Sequence, residues 1–380
     1  MNPSSPTTPN ATHESAAAAA RSPWPHRMAM LLALVTFPLI WVGGLVTSQD
    51  AGMAVPDWPG TYGYNLFLYP IEEWWLGPWD LFIEHGHRLL GSLAGLVAIA
   101  LVFVTYRSEP RRWVFGLSVV ALLLVIAQGA LGGVRVLAAD RAVALVHGCV
   151  GPAFFGLSLA LLAVTSRRWT QVTADETSLL RPTDWAWTLG LAVLAYLQLV
   201  IGANMRHISV EADPIVYRTL VTAHVTGALL VVFHALRIGQ LSLVGHLGRC
   251  RRAAMFVTLL VLAQFLLGAG TWMLKFGIPS PYGEWNWFAT YVVPAKSMLQ
   301  ANIVTAHVAI GSLVLGSAIW LMLIVGRHTA FVGTAALEHH MESRKDRLMG
   351  HGHAEPRANT VVTAADHGAE LNSGMDGVLA

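Results

Sequence analysis

The chain has 380 residues, 54% of them hydrophobic and only 12% charged, with a formal net charge of +2. Soluble domains carry roughly twice that charged fraction, so a soluble enzyme is excluded and no nucleic-acid partner is expected. The composition is that of a polytopic membrane protein. Cys149, in an apolar run, and Cys250, in a basic one, provide neither a disulfide framework nor a Cys-rich metal motif.

Residues 1–27 begin with Ser, Thr, Pro and Ala and are expected to be disordered. Arg21, His26 and Arg27 then lead into an apolar run. It resembles the start of a signal peptide, but seven more such runs follow and no clear cleavage site is present, so it reads as a retained first helix. Crossing a membrane takes about 20 apolar residues. Runs that meet this lie near 28–48, 84–106, 112–136, 143–166, 184–205, 218–238, 253–275 and 300–326. Arg107, Arg111 and Arg112 separate the second and third runs. Arg167, Arg168 and Arg181 separate the fourth and fifth, and Arg237, Arg249, Arg251 and Arg252 the sixth and seventh. The positive-inside rule puts these loops and both termini in the cytoplasm, with the chain in the inner (cytoplasmic) membrane. Segment 49–83 carries Asp50, Asp57, Glu72, Glu73 and Asp80 without any Lys or Arg and is expected outside. Its turn-rich Val55-Pro-Asp-Trp-Pro-Gly60 and aromatic Ile71–Trp79 stretch exceed what a bare connector needs, and predict a lid over a site between helices. The polar tail 327–380, with His339, His340, His351 and His353, is expected to be disordered and solvated.

The runs repeat. Odd-numbered ones carry Gln128-Gly-Ala-Leu-Gly132-Gly133, Gln198-Leu-Val-Ile-Gly202-Ala203 and Gln264-Phe-Leu-Leu-Gly268-Ala269, while the first has Leu39 and then Gly43-Gly44. Small residues of this kind let helices, or a flat ligand, approach the backbone. Each even-numbered run carries a histidine followed by glycine: His87 and Gly91, His147 and Gly151, His224 and Gly227, His307 and Gly311. The predicted architecture is therefore two tandem four-helix bundles, 28–170 and 184–326, with two histidines each near the outer face. Imidazole binds zinc, copper and iron. A zinc site would want a third or fourth protein ligand per unit, and copper needs no glycine slots. Facing pairs beside glycines suit bis-histidine haem. Glu84 lies three residues before His87, on the same helix face, at a depth where an ionisable group is costly and functional by default. The matching positions before the other histidines hold Ala144, Val221 and Val304, so the acid belongs to one site only. His85, His207 and His234 read as structural or solvated.

Taken jointly, Glu84-x-x-His87-Arg88, Gly43-Gly-Leu-Val-Thr-Ser48, Val55-Pro-Asp-Trp-Pro59 and one histidine on each even helix resemble the haem A synthase family over residues 28–326. The resemblance implies oxidation of the C8 methyl of haem O to a formyl group, giving haem A for cytochrome oxidase. It implies that His87 and His147 hold the substrate haem O and product haem A, that His224 and His307 hold a haem b, and that Glu84 is catalytic. One subgroup of the family has a cysteine pair in the first outer loop; residues 49–83 contain no cysteine, so the chain is similar to the cysteine-poor type and no thiol role is expected. Arg88, Arg135 and Arg206, with Arg218, are candidate partners of haem propionates, and Trp58 and Tyr62 are candidate covers for a porphyrin edge. Expected partners are the lipid membrane, haem O synthase, oxidase assembly factors, an unnamed electron donor and a second copy of the chain. The alternative is a dihaem cytochrome b-like electron carrier or quinol oxidoreductase, which would use the same histidines without Glu84. A tandem-repeat transporter ranks last, because its polar residues would lie near mid-membrane.

Overall fold

The structure is a computed structural model that describes residues 22–171, 180–276 and 297–349. Among the described residues there are eight long helices: α1 (Trp24–Ser48), α2 (Trp79–Ser108), α3 (Arg112–Ala138), α4 (Arg141–Val164), α5 (Pro182–His207), α6 (Pro214–Leu243), α7 (Arg251–Phe276) and α8 (Met298–Met349). Each contains a stretch long and apolar enough to cross a membrane. The chain is an all-α, multi-pass membrane protein. Spanning segments are helical because hydrocarbon offers backbone groups no partner other than their own helix.

Polar residues set the helix ends. Asp140 accepts from Ala142 N–H (2.6 Å) and Val143 N–H (3.2 Å) at the start of α4, and Asp213 accepts from Ile215 N–H (2.7 Å) at the start of α6. Pro182 and Pro214 occupy first-turn positions whose missing N–H costs nothing. Two boundaries differ from the apolar runs. α2 starts at Trp79, more than a turn before residue 84, and Asp80 occupies its first turn. α8 continues to Met349, because the sequence after residue 329 is rich in Ala, Leu, Glu, Met and Arg, all good helix formers. Residues 334–380 form a separate unit, of which the helix as far as Met349 is described.

Within residues 22–333, α1 packs on α2 and α4, and α3 packs on α2 and α4, closing a cycle of four. Its core includes Leu32, Leu101, Phe154 and Leu161. α5 packs on α6 and α6 on α7, around a second core with Leu191, Ile238, Val257, Leu315 and Leu321. α8 is the most enclosed helix. α4 meets α8 where a side chain on Gly156 would strike Ile319 and one on Gly316 would strike Phe155. Large apolar residues such as Phe103, Leu123, Phe233 and Leu266 are exposed around the outside, as a lipid-facing surface requires.

Candidate functional site

The four repeat histidines come together in two pairs. The His87 and His147 rings have centres 6.4 Å apart and planes at 82°; for His224 and His307 the values are 6.2 Å and 75°. Each imidazole edge rests on a glycine of the preceding odd helix. A methyl group on Gly43 would lie 2.7 Å from His87 Cε1, on Gly132 3.3 Å from His147, on Gly202 3.2 Å from His224 and on Gly268 3.0 Å from His307. The glycines one turn beyond the histidines do something else. Gly151 and Gly311 make room for the side chains of Gln128 and Gln264, and Gly227 for that of Gln198. Each of these amides donates to the backbone carbonyl of the facing histidine: Gln128 to His147 (3.1 Å), Gln198 to His224 (2.9 Å), Gln264 to His307 (2.8 Å). The Gln motif is thus a strut between neighbouring helices. On α1 Leu39 replaces it, and a methyl group on Gly91 of the facing α2 would meet nothing within 4 Å.

The imidazole pairs fit a metal held between two ligands. A ring nitrogen binds a metal at about 2 Å and lies about 1 Å from its ring centre, so two imidazoles on one ion have centres roughly 6 Å apart. All four Nδ1 atoms are buried without a hydrogen-bond partner among the described residues, although each histidine is partly exposed. Buried polar atoms are nearly always paired; these four recur at one place in each repeat, although Nδ1 of His246, outside either pair, is unpaired as well. Among the described residues no group of three or more His, Cys, Asp or Glu converges as a zinc site would need. Two imidazoles suffice for haem, whose porphyrin supplies the other ligands.

Glu84 is 3% exposed. Its Oε2 accepts from Val55 N–H (2.9 Å) and its Oε1 pairs with Arg88 (2.9 Å). Arg88 also donates to the carbonyls of Val55 (2.9 Å), Asp57 (2.7 Å) and Gly60 (2.7 Å). Its guanidinium is therefore committed to the loop 49–78, which it clamps onto α2. Around the clamp, Asp57 accepts from Tyr62 N–H (2.7 Å) and Gly63 N–H (2.9 Å). Desolvation alone would raise the Asp57 carboxyl; the two amide donors and the charge of Arg88 outweigh it and hold the group below its ordinary value. The Tyr62 hydroxyl donates to the Ala54 carbonyl. The Trp58 ring lies against Gly133 of α3, where any side chain would collide with it. The loop consequently crosses the start of α2 and the end of α3, beside the first histidine pair. His85, 2% exposed, is one of its anchors: Nδ1 bonds Thr61 Oγ1 (2.9 Å) and the ring packs on Tyr69 and Trp74. The structural reading of His85 suits that placement.

Two other arginines keep donors to spare. Arg135 reaches the Gly52 carbonyl (2.8 Å), and a side chain on Gly52 would occupy its place. It also lies within electrostatic reach of Glu84. Arg206 leaves α5 to bond the Gly44 carbonyl (2.6 Å) and Ser48 Oγ (2.7 Å) of α1. Arg218 is exposed. His207, read from sequence as a loop residue, closes α5 and puts Nε2 against Gly148, next to His147. One turn past the small pairs Gly132-Gly133 and Gly202-Ala203, the repeat leads to Arg135 and to Arg206-His207, and that was the available signal. His234 bonds the Leu230 carbonyl through Nδ1 (2.9 Å) and packs on Trp187, away from either pair.

No family model matches the chain. It is 28% identical over 269 residues to a haem A synthase of Symbiobacterium thermophilum, covering 62% of this chain and 81% of that one. It is 26% identical over 169 residues to a haem A synthase of Shewanella oneidensis, covering 41% and 48% respectively. A protoheme IX farnesyltransferase of Haloarcula marismortui is 28% identical over 151 residues, covering 40% and 30%. The chain thus spans most of the first relative and about half or less of the other two, and it is a relative of the haem A synthases.

Proposed function

We propose that this membrane protein is a haem A synthase that oxidises the C8 methyl of haem O to a formyl group. The observation that carries the reading is an asymmetry: two matched imidazole pairs, of which, among the described residues, only the first has a buried carboxylate one helical turn away. His87 and His147 hold the substrate haem O, and His224 and His307 hold a haem b. When bound, that haem b supplies one-electron redox chemistry at iron. Turning a methyl into a formyl inserts one oxygen atom and removes four electrons: with water as the oxygen source, R–CH3 and H2O give R–CHO, four protons and four electrons, the electrons passing to an external acceptor, so a proton acceptor is needed beside the first pair and not beside the second. Glu84 takes the protons. Arg88 keeps the outer loop closed beside it, limiting water at the site. Arg135 and Arg206 turn their remaining N–H donors to haem carboxylates. By the positive-inside rule the arginine-rich ends face the cytoplasm, in a cell inner membrane, and both histidine pairs lie near the outer face. Haem O synthase is the expected supplier. The farnesyl-transfer chemistry named for the Haloarcula relative is the kind that makes a substrate of this class.

Haem extraction and chromatography of the purified protein test the reading. Wild type should yield haem b together with haem O or haem A. His224→Ala should lose haem b and retain the farnesylated haem, and His147→Ala should do the reverse. Haem b as the sole pigment of both sites would establish a dihaem electron carrier instead. The glycine contacts add a sharper expectation. Gly43→Ala, whose methyl meets His87 at 2.7 Å between two fixed backbones, should empty the first site and about halve the bound haem. Gly91→Ala, with open space around it, should leave haem content unchanged.

A further inference from the structure

The end of the molecule opposite the histidines holds a cavity of about 1190 Å³. It is walled by the start of α1, the loop before α3, the end of α4 with the short helix Arg167–Thr170, the start of α7, and Trp320 of α8. Trp320 lies thirteen residues beyond His307, about 20 Å along α8, so the cavity is no part of either imidazole pair.

Its chemistry is one-sided. Among the described residues Arg27, Arg111, Arg167, Arg168 and Arg252 line it, against one carboxylate, Glu109. Glu109 is already taken by Arg111, through bonds of 2.7 and 2.9 Å. The other four arginines form no ion pair among the described residues. Two of them are laid over tryptophan faces, Arg168 over Trp320 at 5.9 Å and Arg27 over Trp24 at 5.2 Å. Stacking orders a guanidinium while leaving its N–H edge free to meet an anion. One helical turn beyond Arg27 and Arg252 the lining becomes apolar, with Met30 on α1 and Phe256 on α7, both exposed, beside Leu162 and the buried Val257. The back is closed by His26, whose Nδ1 bonds Thr165 Oγ1 (3.2 Å) and ties the start of α1 to the end of α4.

We propose that this cavity is a binding site for an anionic phospholipid of the cytoplasmic leaflet, with a two-phosphate headgroup of the cardiolipin type. Four unpaired cations exceed what one phosphate diester neutralises. A basic rim over an apolar floor at the membrane surface matches a phosphate headgroup above acyl chains, and basic pockets between membrane helices on this side bind such lipids. A soluble anion would use the rim and leave the floor bare. Because α1 and α4 belong to the first half of the chain and α7 and α8 to the second, the lipid joins the two halves at this end, as the bonds of Arg206 to α1 join them at the other.

The full-length protein, purified in detergent, is examined by native mass spectrometry for retained lipid and by tryptophan fluorescence for thermal unfolding. The probes are cardiolipin, phosphatidylglycerol, phosphatidylcholine and inorganic pyrophosphate. One cardiolipin per chain should survive purification, and added cardiolipin should raise the unfolding temperature where phosphatidylcholine and pyrophosphate do not. Arg168→Gln and Arg252→Gln should each weaken cardiolipin binding roughly fivefold, and together roughly 25-fold if the two sites add. Arg168→Lys and Arg252→Lys, which keep the charge, should bind nearly as well and guard against misfolding of the glutamine variants. Equal retention of phosphatidylcholine, or unchanged cardiolipin affinity in a folded double glutamine variant, overturns the site. An equal effect of pyrophosphate makes it a free-phosphate site, and equal binding of phosphatidylglycerol overturns the two-phosphate headgroup.

Discussion

Glu84→Gln is expected to keep both haems and lose conversion of haem O to haem A by a factor of about 100 or more, the usual weight of a general acid or base. Glutamine has the shape of glutamate. Its single amide oxygen can accept from Val55 N–H or from Arg88 but not from both, so one of the two 2.9 Å contacts is kept, together with the bonds of Arg88 to the carbonyls of Val55, Asp57 and Gly60. The ability to take a proton disappears, while most of the clamp on the loop remains. That contrast separates two readings of the residue. Glu84 sits more than a turn inside α2, with Asp80 in the first turn, so it does not cap the helix. It either holds the outer loop by hydrogen bonding or moves protons. If hydrogen bonding is the whole role, the variant keeps making haem A, and normal haem A in the extracted pigment would end the catalytic assignment. Glu84→Ala is the companion measurement, since it should lose both the chemistry and the loop.

The largest effect on stability belongs to Arg88→Ala. Its side chain is 10% exposed, that of Glu84 4%. Truncating one member of a buried pair leaves the other charge unpaired, at a cost of about 3–5 kcal/mol. Here the carbonyls of Val55, Asp57 and Gly60 lose their donors as well. Arg88→Ala should therefore unfold at a lower temperature and expose segment 49–78 to protease, with haem still bound by the second pair. Arg88→Lys should fall between, because an ammonium keeps the charge but cannot span three carbonyls and a carboxylate with one planar group. Protease resistance of the loop in Arg88→Ala equal to wild type would show that the clamp is not what holds it.

These two residues also show how far the chain could be read before folding. Glu84 was legible because it is one turn from a repeated histidine and has no counterpart at Ala144, Val221 or Val304. Arg88 was read as a partner for haem propionates, since an arginine beside a ligand normally serves an anion. In the fold its donors go to the loop, and Arg135 and Arg206 are the ones with N–H groups left over. Which carbonyls lie within reach of a guanidinium depends on how the loop returns over α2, and no local pattern carries that. The glutamines were similar. Their recurrence signalled close helix packing, but not that each would reach a histidine carbonyl 19, 26 or 43 residues further on.

By itself the sequence determined eight apolar helices, their tandem repeat, four equivalent histidines and one carboxylate beside the first of them. These are local properties. A span must satisfy its own backbone inside lipid, and a helix places residues three or four apart on one face. Only the tertiary structure decided where the loop is clamped, how Ser48 of α1 comes within 3.1 Å of Thr305 of α8, and that arginines from several segments share one cavity. Contacts between residues 257 positions apart are set by helix packing, in which small residues such as Gly44, Gly156 and Gly316 fix how closely the backbones approach.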